Sequence, residues 1–259
     1  MFKTPRKRFA QNFLQDQNVV DNIIRAIHPQ ADDVIVEIGP GRGALTLPLL
    51  KIVEQMHVVE IDRDLIAWWQ TQAHRNLQIH AADALRFDFT SIPAAHKLRI
   101  IGNLPYNIST PLLFHLFKFM HHIHDMHFML QQEVVERMVA PPGGKEYGRL
   151  SIMVQYYCQA EKLFSVHPGS FFPAPKVESA IVRLQPRLDR PACDAQALSS
   201  LVQQAFSQRR KTLRNCLKDT LDSDEIQSLG IDPAARPQTL SLDDYVRLCQ
   251  FLSAKNSSN

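Results

Sequence analysis

Residues 100–107, Ile-Ile-Gly-Asn-Leu-Pro-Tyr-Asn, place an amide, a proline and an aromatic ring directly after an apolar run. Asparagine is unfavourable within strands and proline cannot donate to a sheet ladder, so the predicted strand ends at Asn103. The Asn103 side-chain carbonyl and the Leu104 backbone carbonyl could accept both N–H bonds of a planar aromatic amine. Pro105 would fix these acceptors in place, and Tyr106 could stack on the base. The stretch therefore favours methyl transfer to an aromatic amine, and its structural alternative is a turn with a buried tyrosine.

A glycine-rich loop lies upstream, between a β-branched strand and the predicted start of a helix. Gly39, Gly41 and Gly43 would let the backbone approach a ligand closely, and a helix start leaves free N–H groups. Glu60 ends the second predicted strand, where a carboxylate could accept both hydroxyls of a ribose. The pattern fits S-adenosylmethionine or a nicotinamide nucleotide. However, the spacing is not G-x-G-x-x-G, and Pro40 lacks a donor that a pyrophosphate would need.

Asp83 follows the third predicted strand, where its carboxylate could accept from the exocyclic amine of an adenine. Taken alone, it could equally cap the amino end of a helix. Glu37, Glu60 and Asp83 end three successive strands, and together they favour a nucleoside cofactor more specifically than any one of them does.

A second aromatic wall could come from Phe171 and Phe172, in a segment stiffened by Pro173 and Pro175. A rigid loop presents a ring at low entropic cost. A phenylalanine pair is more often part of a core, but beside Tyr106 it predicts a clamp for the target base.

These residues need a sheet to bring them together. Helical and strand patterns alternate between residues 18 and 139, which predicts β-α units and a parallel sheet. The Pro- and charge-rich residues 185–194 predict a linker, and the pattern beyond them is helical. The sequence therefore predicts an α/β sheet domain over residues 1–185 and a small all-helical domain over residues 190–259.

The composition limits the classes to which the protein can belong. Of 259 residues, 45% are hydrophobic and 21% are charged, which excludes a disordered chain. Cys158, Cys193, Cys216 and Cys249 form no CxxC pair, which argues against a structural zinc site and a disulfide scaffold. No apolar run approaches the roughly 18 residues of a membrane span. We expect a soluble protein of the reducing cytoplasm.

The net charge is only +3, but cations are concentrated in two acid-free segments near opposite ends of the chain. They are Lys3, Arg6, Lys7, Arg8, Arg209, Arg210, Lys211, Arg214 and Lys218. Such segments suggest contact with a polyanion such as nucleic acid, and a solvated charged face is the ordinary alternative.

Four histidines, His121, His122, His124 and His127, lie close together in the sequence. Their spacing resembles no structural zinc pattern, and no cysteine lies near. We expect no functional metal there, and we interpret the cluster as an exposed loop between a helix and a strand.

Six segments resemble the KsgA/RsmA family, the dimethyladenosine transferases of small-subunit ribosomal RNA. They are KRFAQNFL (7–14), EIGPGRGALT (37–46), VEIDRDL (59–65), GNLPYNIST (102–110), FFPAPKVESAIVRL (171–184) and AFSQRRKTLRN (205–215). The segments occur in order over nearly the whole chain.

The resemblance implies a Rossmann-like sheet domain that binds S-adenosylmethionine, and a small helical domain that binds rRNA. The implied activity is N6,N6-dimethylation of two adjacent adenosines in the hairpin loop near the 3′ end of 16S rRNA. The implied partner is the immature 30S subunit, and the implied role is small-subunit biogenesis. We expect a cytoplasmic monomer that needs no metal.

The resemblance also implies roles for individual residues. The catalytic and target-base residues are Asn103, Leu104, Tyr106 and Phe171, the first phenylalanine of the F-x-P-x-P-K-V pattern. The cofactor-binding residues are Asn12, Leu14, Gly39, Glu60, Asp83 and Asn103. The RNA-binding residues are Lys7, Arg8, Arg209, Arg210, Lys211 and Arg214.

Two other functions stay open. Adenine methyltransferases of large-subunit rRNA share the sheet domain, although the RRKTLRN and FxPxPKVES forms favour the small-subunit enzymes. A nucleic-acid-binding factor without activity, like the mitochondrial transcription factors that resemble this family, is opposed by the intact acceptor and aromatic residues around Asn103.

Overall fold

The structure is a computed structural model, and it describes residues 12–208 and 210–257, with only the backbone of Ser257. The strands are β1 (Phe13–Leu14), β2 (Val34–Ile38), β3 (Gln55–Glu60), β4 (Leu77–Ala81), β5 (Leu98–Asn103), β6 (Ile123–Gln131), β7 (Cys158–Val166), β8 (Phe171–Phe172) and β9 (Ser179–Pro186). The α-helices are α1 (Gln17–Ile27), α2 (Thr46–Leu49), α3 (Arg63–Thr71), α4 (Ser109–Leu116), α5 (Gln132–Val139), α6 (Arg149–Tyr157), α7 (Ala195–Ala205), α8 (Leu213–Leu217), α9 (Ser223–Ser228) and α10 (Leu242–Ser257).

Seven strands form one sheet in the order β4-β3-β2-β5-β6-β9-β7. The strands from β4 to β6 pair in parallel, and β9 joins β6 antiparallel. The central strand β2 is buried along its whole length, as its run of β-branched residues requires, because helices cover both faces of a parallel sheet. The predicted α/β sheet is therefore confirmed, and the antiparallel β9 makes it a mixed sheet.

Helix α1 shows how local sequence sets an element. Its N-cap Asp16 accepts hydrogen bonds from the backbone amides of Asn18 and Val19. Capping of this kind satisfies donors that have no partner inside the helix. Val20, Ile23 and Ile27 recur at helical spacing and are buried, so one face of α1 packs into the core.

The chain divides into two compact units. Of the described residues, the sheet unit contains 12–135 and Glu161–Pro186, and the helical unit contains Glu136–Ala160 and those from Arg187 onward. The prediction placed residues 136–160 in the sheet domain, whereas the structure groups them with the C-terminal helices. The reason is that α6 is almost entirely buried and contacts α7 and α10.

None of the helices in the described parts of the chain has the length and apolar character needed to cross a lipid bilayer.

Arg99 connects the amino-terminal edge of the sheet to the end of α1. Its Nε and Nη2 atoms donate to the two carboxylate oxygens of Asp125, at 2.9 and 2.7 Å. Nη1 donates to Asp33 at 2.7 Å, and Nη2 also donates to the Ile27 carbonyl at 2.6 Å. Burial lowers the pKa of the Arg99 guanidinium, but the bonds and charges of Asp125 and Asp33 outweigh burial and leave this pKa raised. The cation is therefore buried with its partners in place.

The interpretation of the histidine cluster as an exposed loop is right about exposure for His121, His122 and His124 but wrong about the loop, because His121 and His122 end a 3₁₀ helix. Strand β6 already begins at Ile123, and His127 lies inside it with only 4% of its surface exposed. Neither ring nitrogen of His127 has a hydrogen-bond partner, and the carboxylate of Asp125 is 3.9 Å from Nδ1. Among the described residues, no group of His, Cys, Asp and Glu side chains is placed to hold a metal ion. His127 is therefore a core residue.

Replacing His127 with leucine should make the sheet unit less sensitive to acid. Burial lowers the pKa of His127 to about 4, and the charge of Asp125 offsets this only in part. The unfolded chain takes up a proton at this ring below the ordinary pKa of 6.5, whereas the folded chain does so only near 4. Stability is therefore lost as the pH falls from 6.5 to 4, by about 2 kcal/mol at pH 5. Leucine cannot be protonated and should avoid this loss.

Urea unfolding followed by tryptophan fluorescence tests this, because both tryptophans, Trp68 and Trp69, lie in the sheet unit. The free energy of unfolding of His127→Leu, taken relative to that of the parent protein, should be about 2 kcal/mol higher at pH 5 than at pH 8. The exposed His96 offers a control, and His96→Leu should show no such difference. The same stability difference at both pH values for His127→Leu would contradict the prediction.

Candidate active site

A cavity of about 270 Å³ lies at the carboxyl ends of β2, β3, β4 and β5. The chain runs outward from β2 to β4 and returns to β5 on the other side of β2, so the loops diverge at this point of the sheet. All six predicted cofactor residues and two further target-base residues line the cavity. They are Asn12, Leu14, Gly39, Glu60, Asp83, Asn103, Leu104 and Tyr106.

The glycine loop forms one wall. Gly39 has φ of +69° and Gly41 has φ of +54°, conformations that residues with a Cβ rarely adopt. A Cβ built on Gly39 would meet nothing within 4 Å, so the backbone there faces open space. Two hydrogen bonds fix the loop. The Gly39 amide donates to the Val59 carbonyl at 2.9 Å, and the Trp69 indole donates to the Gly41 carbonyl at 3.1 Å. It is a fixed backbone surface that a ligand can approach.

Glu60 ends β3 with its carboxylate at the cavity wall. One oxygen, Oε1, accepts from the amides of Ile61 and Asp62, both at 2.8 Å. Burial raises the pKa of Glu60, and these backbone bonds act in the opposite direction. The bonds hold the carboxylate in one orientation, as a group that accepts two ribose hydroxyls requires.

Glu37 is the next-to-last residue of β2 and is almost fully buried. Thr46 donates to its Oε2 at 2.6 Å. Burial raises the pKa of Glu37 to about 7, although the Thr46 bond acts against this. A hydroxyl partner at this carboxyl was not predicted, and no local sequence pattern would have indicated Thr46.

Asp83 makes a capping hydrogen bond and also lies at the cavity wall. Its Oδ1 accepts from the Leu85 amide at 3.0 Å, so the side chain caps the turn that follows β4. Asp83 also lines the cavity. The capped element is a turn rather than the helix that the alternative assumed.

Asn103 is the last residue of β5, and a hydrogen bond to a segment far away in the sequence sets the orientation of its side-chain amide. Its Nδ2 donates to the backbone carbonyl of Asn12 at 3.0 Å. A carbonyl only accepts, so the nitrogen faces Asn12 and the side-chain oxygen is left as an acceptor. The Leu104 amide donates to the Met129 carbonyl at 3.2 Å, and no donor among the described residues reaches the Leu104 carbonyl. Two oxygen acceptors thus belong to adjacent residues that both line the cavity, Asn103 and the almost fully buried Leu104.

Tyr106 is oriented by two hydroxyl groups. Its own hydroxyl lies 2.9 Å from Ser179 Oγ, and Ser109 Oγ donates to the Tyr106 carbonyl at 3.0 Å. Ser179 is buried at the start of β9. The role of Ser179 was missed, although the residue lies within the quoted FFPAPKVESAIVRL segment, which was the available signal.

Strands β1 and β8 bring two remote segments together as an antiparallel ribbon, with Phe13 opposite Phe172 and Leu14 opposite Phe171. Phe171 is 5% exposed and belongs to the hydrophobic core, whereas Phe172 is 54% exposed. Phe171 is not among the residues that line the cavity. Its stacking role stays a prediction.

Arg42 was not predicted as a site residue. Its guanidinium lies 4.6 Å from the centre of the Phe13 ring, and both residues line the cavity. The arrangement has the geometry of a cation–π contact.

The predicted RNA-binding cations fall into two groups. Arg210, Lys211 and Arg214 are exposed in the helical unit. Arg210 and Lys211 precede α8 and Arg214 lies within it, while Leu213 and Leu217 of α8 are buried. Lys7, Arg8 and Arg209 lie outside the described residues.

Comparisons with known proteins agree with this geometry. A family model described as ribosomal RNA adenine dimethylase matches residues 2–254. The protein named ribosomal RNA small subunit methyltransferase A from Pseudomonas syringae pv. tomato is 56% identical, over 96% of this chain and 95% of its own length. The protein of the same name from Nitrosococcus oceani is 53% identical, over 95% of each chain.

Solved structures are similar as well. A dimethyladenosine transferase from Plasmodium falciparum superposes with a TM-score of 0.79 at 26% identity, over 94% of this chain and 98% of its own. The 23S rRNA methyltransferase ErmE superposes with a TM-score of 0.72 at 23% identity, over 93% of this chain and 100% of its own. The second likeness shows the shared fold.

Proposed function

The chain belongs to the ribosomal RNA adenine dimethylase family and is an rRNA adenine dimethyltransferase, and from this premise we propose its substrate, its methyl donor and the roles of its residues. It transfers methyl groups from S-adenosylmethionine to the N6 atoms of two adjacent adenosines. These lie in the hairpin loop near the 3′ end of 16S rRNA in the immature 30S subunit. The protein acts as a cytoplasmic monomer in small-subunit biogenesis.

Two observations about the cavity favour S-adenosylmethionine as its ligand. Gly39 leaves open space where a side chain would otherwise stand, and Glu60 presents a carboxylate held by backbone amides. Glu60 would accept from the ribose and Asp83 from the adenine amine, while Asn12 and Leu14 close the cavity from β1. When bound, this cofactor supplies a methyl group on a positively charged sulfonium, which makes the methyl carbon electrophilic.

The pair of acceptors at Asn103 and Leu104 is the observation that carries the proposal. The adenine amine is a weak nucleophile because its lone pair is delocalised into the ring. Accepting both N–H bonds at the Asn103 side-chain oxygen and the Leu104 carbonyl favours a more tetrahedral nitrogen with a localised lone pair. Both acceptors are held before substrate arrives, by Asn12 and by Met129, so little reorganisation is needed.

The target base must leave its stack to reach this cavity. Tyr106 lines the cavity, and Ser179 fixes the direction of its hydroxyl, so its ring is placed to receive the flipped adenine. Stacking on an aromatic side chain contributes about 1–3 kcal/mol, comparable to the cost of unstacking. We assign Phe171 to the other face of the base, which requires its ring to move out of the core.

Methyl transfer from labelled S-adenosylmethionine tests the proposal. The acceptors to compare are small subunits and large subunits from cells that lack the protein. We expect label on two adjacent adenosines near the 3′ end of 16S rRNA. Label on large-subunit rRNA alone would favour the large-subunit enzymes. Binding of cofactor and subunits without any transfer would favour a nucleic-acid-binding factor.

Reversing charge at Arg210, just before α8, and at Arg214, within it, should weaken subunit binding without changing cofactor affinity. Arg210 and Arg214 are exposed there, and neutralising rRNA phosphates releases counterions. Arg210→Glu with Arg214→Glu should raise the dissociation constant for small subunits on the order of tenfold and make its salt dependence shallower. Filter binding over a series of salt concentrations measures both effects.

A matched control has the same change in net charge at another surface. Lys51 and Lys97 are exposed and precede β3 and β5, at the edge of the sheet opposite the cavity. Lys51→Glu with Lys97→Glu should bind subunits nearly as the parent does. An equal loss in both double variants would mean that only overall charge matters and would remove the assignment of α8.

A further inference from the structure

We propose that Phe172 is a stacking platform for the nucleotide that flanks the target adenosine in the rRNA strand. This inference rests on the proposed function, because it adds a second RNA contact to the same site.

The two-residue strand β8 turns its neighbouring phenylalanines to opposite sides. Side chains alternate across a strand, so when Phe171 enters the core, Phe172 must face solvent. The structure shows this directly, with 5% of Phe171 and 54% of Phe172 exposed. Within residues 12–208 and 210–256, Phe172 is the only exposed side chain among the phenylalanines, tyrosines and tryptophans. A large ring in water lacks the hydrophobic stabilisation that burial would provide, and a ligand that covered it would recover that stabilisation.

The position of Phe172 beside the cavity favours the rRNA substrate as the ligand. Phe172 pairs with Phe13 across the ribbon, and directly opposite residues project from the same face of a two-stranded sheet. Phe13 lines the cavity, so Phe172 lies beside the cavity wall rather than on a remote surface. The segment that follows returns to the site at Ser179, which contacts Tyr106. Residues 172–178 are thus anchored to the active site at both ends.

The chemistry of this segment suits a single-stranded nucleotide. Pro173 and Pro175 restrict the backbone, and Lys176 is an exposed cation that can meet a phosphate. Base–aromatic stacking tolerates any base, because each has a π face. The target adenine occupies the cavity at Tyr106, so a ring outside the cavity wall is available to the next base along the strand. Phe172 would hold that neighbour while the target is flipped.

Steady-state methylation of undermethylated small subunits tests the role of the ring. Phe172→Ala should raise KM for subunits about tenfold with kcat nearly unchanged, whereas Phe172→Trp, which keeps an aromatic face, should stay near the parent value. Affinity for S-adenosylmethionine, measured by calorimetry, should not change in either variant. The control is Ile52→Ala, an exposed apolar residue between α2 and β3. An unchanged KM in Phe172→Ala would overturn the proposal, and so would a loss of cofactor binding, which would indicate a structural role.

The tryptophan of Phe172→Trp can also report which base it touches. Its emission, taken as the difference from the parent protein, should be quenched by an RNA hairpin carrying the target loop. Quenching should persist when the target position is abasic and disappear when the flanking position is abasic. The opposite pattern, or no quenching, would overturn the assignment. If the parent protein failed to methylate subunits but flanking-base quenching remained, the proposed function would fall while the stacking contact stood.

Discussion

Asn103→Ala should lower the turnover of methyl transfer by about 10²–10³-fold, the loss typical when one preorganised group is removed from a polar active site. The alanine lacks the oxygen that we assign to one N–H bond of the amine, so the nitrogen stays closer to planar. The change also removes the hydrogen bond to the Asn12 carbonyl, but Asn103 is only half-buried and water can replace that bond.

Two measurements separate chemistry from folding in this variant. Urea unfolding followed by tryptophan fluorescence should show little loss of stability, and single-turnover kinetics with saturating cofactor and subunits should show the full loss of rate. Asn22→Ala, on the exposed face of α1, makes the same chemical change far from the cavity and should keep the parent rate. Substantial turnover in Asn103→Ala would refute its assigned role.

Arg99→Met should destabilise the sheet unit by roughly 3–5 kcal/mol, because it leaves the carboxylate of Asp125 buried without its partner. It also removes the donor that satisfies the Ile27 carbonyl at the end of α1. Asp33 is more exposed than Asp125 and should be solvated at lower cost. The free energy of unfolding from urea titration, read through Trp68 and Trp69, measures the loss.

A second variant tests whether the loss comes from the unpaired charge. Arg99→Met combined with Asp125→Leu removes both charges, and replacement of a buried ion pair by apolar residues is often nearly neutral. We expect the double variant to recover most of the stability. If it were no more stable than Arg99→Met, the hydrogen bonds to α1 rather than the ion pair would account for the effect.

The residues of the site that could be read from the sequence are those in short contiguous motifs at strand ends. Glu60, Asp83 and Asn103 each follow an apolar run, and the carboxyl ends of parallel strands meet at one edge of a sheet. Their convergence on one cavity is therefore a consequence of the predicted topology, which the structure and the related folds confirm. Their individual roles remain predictions.

What the sequence could not provide depends on contacts between remote segments. Strands β1 and β8 have two residues each, too few to show any periodicity. The grouping of Glu136–Ala160 with the C-terminal helices likewise depends on tertiary contacts of α6. His127 was misjudged because its polar neighbours suggested a loop, whereas pairing of β6 with β5 and β9 buries that stretch.

The hydrogen bonds that complete the site join residues far apart in the chain. Asn12 and Asn103 are 91 residues apart, and Tyr106 and Ser179 are 73 apart. A chain growing on the ribosome therefore carries Glu60, Asp83 and Asn103 well before it carries the serine that holds the tyrosine. Closing such long loops costs entropy that only the finished sheet repays. We therefore expect the site to be complete only after Ser179 has been synthesised and β9 has joined β6.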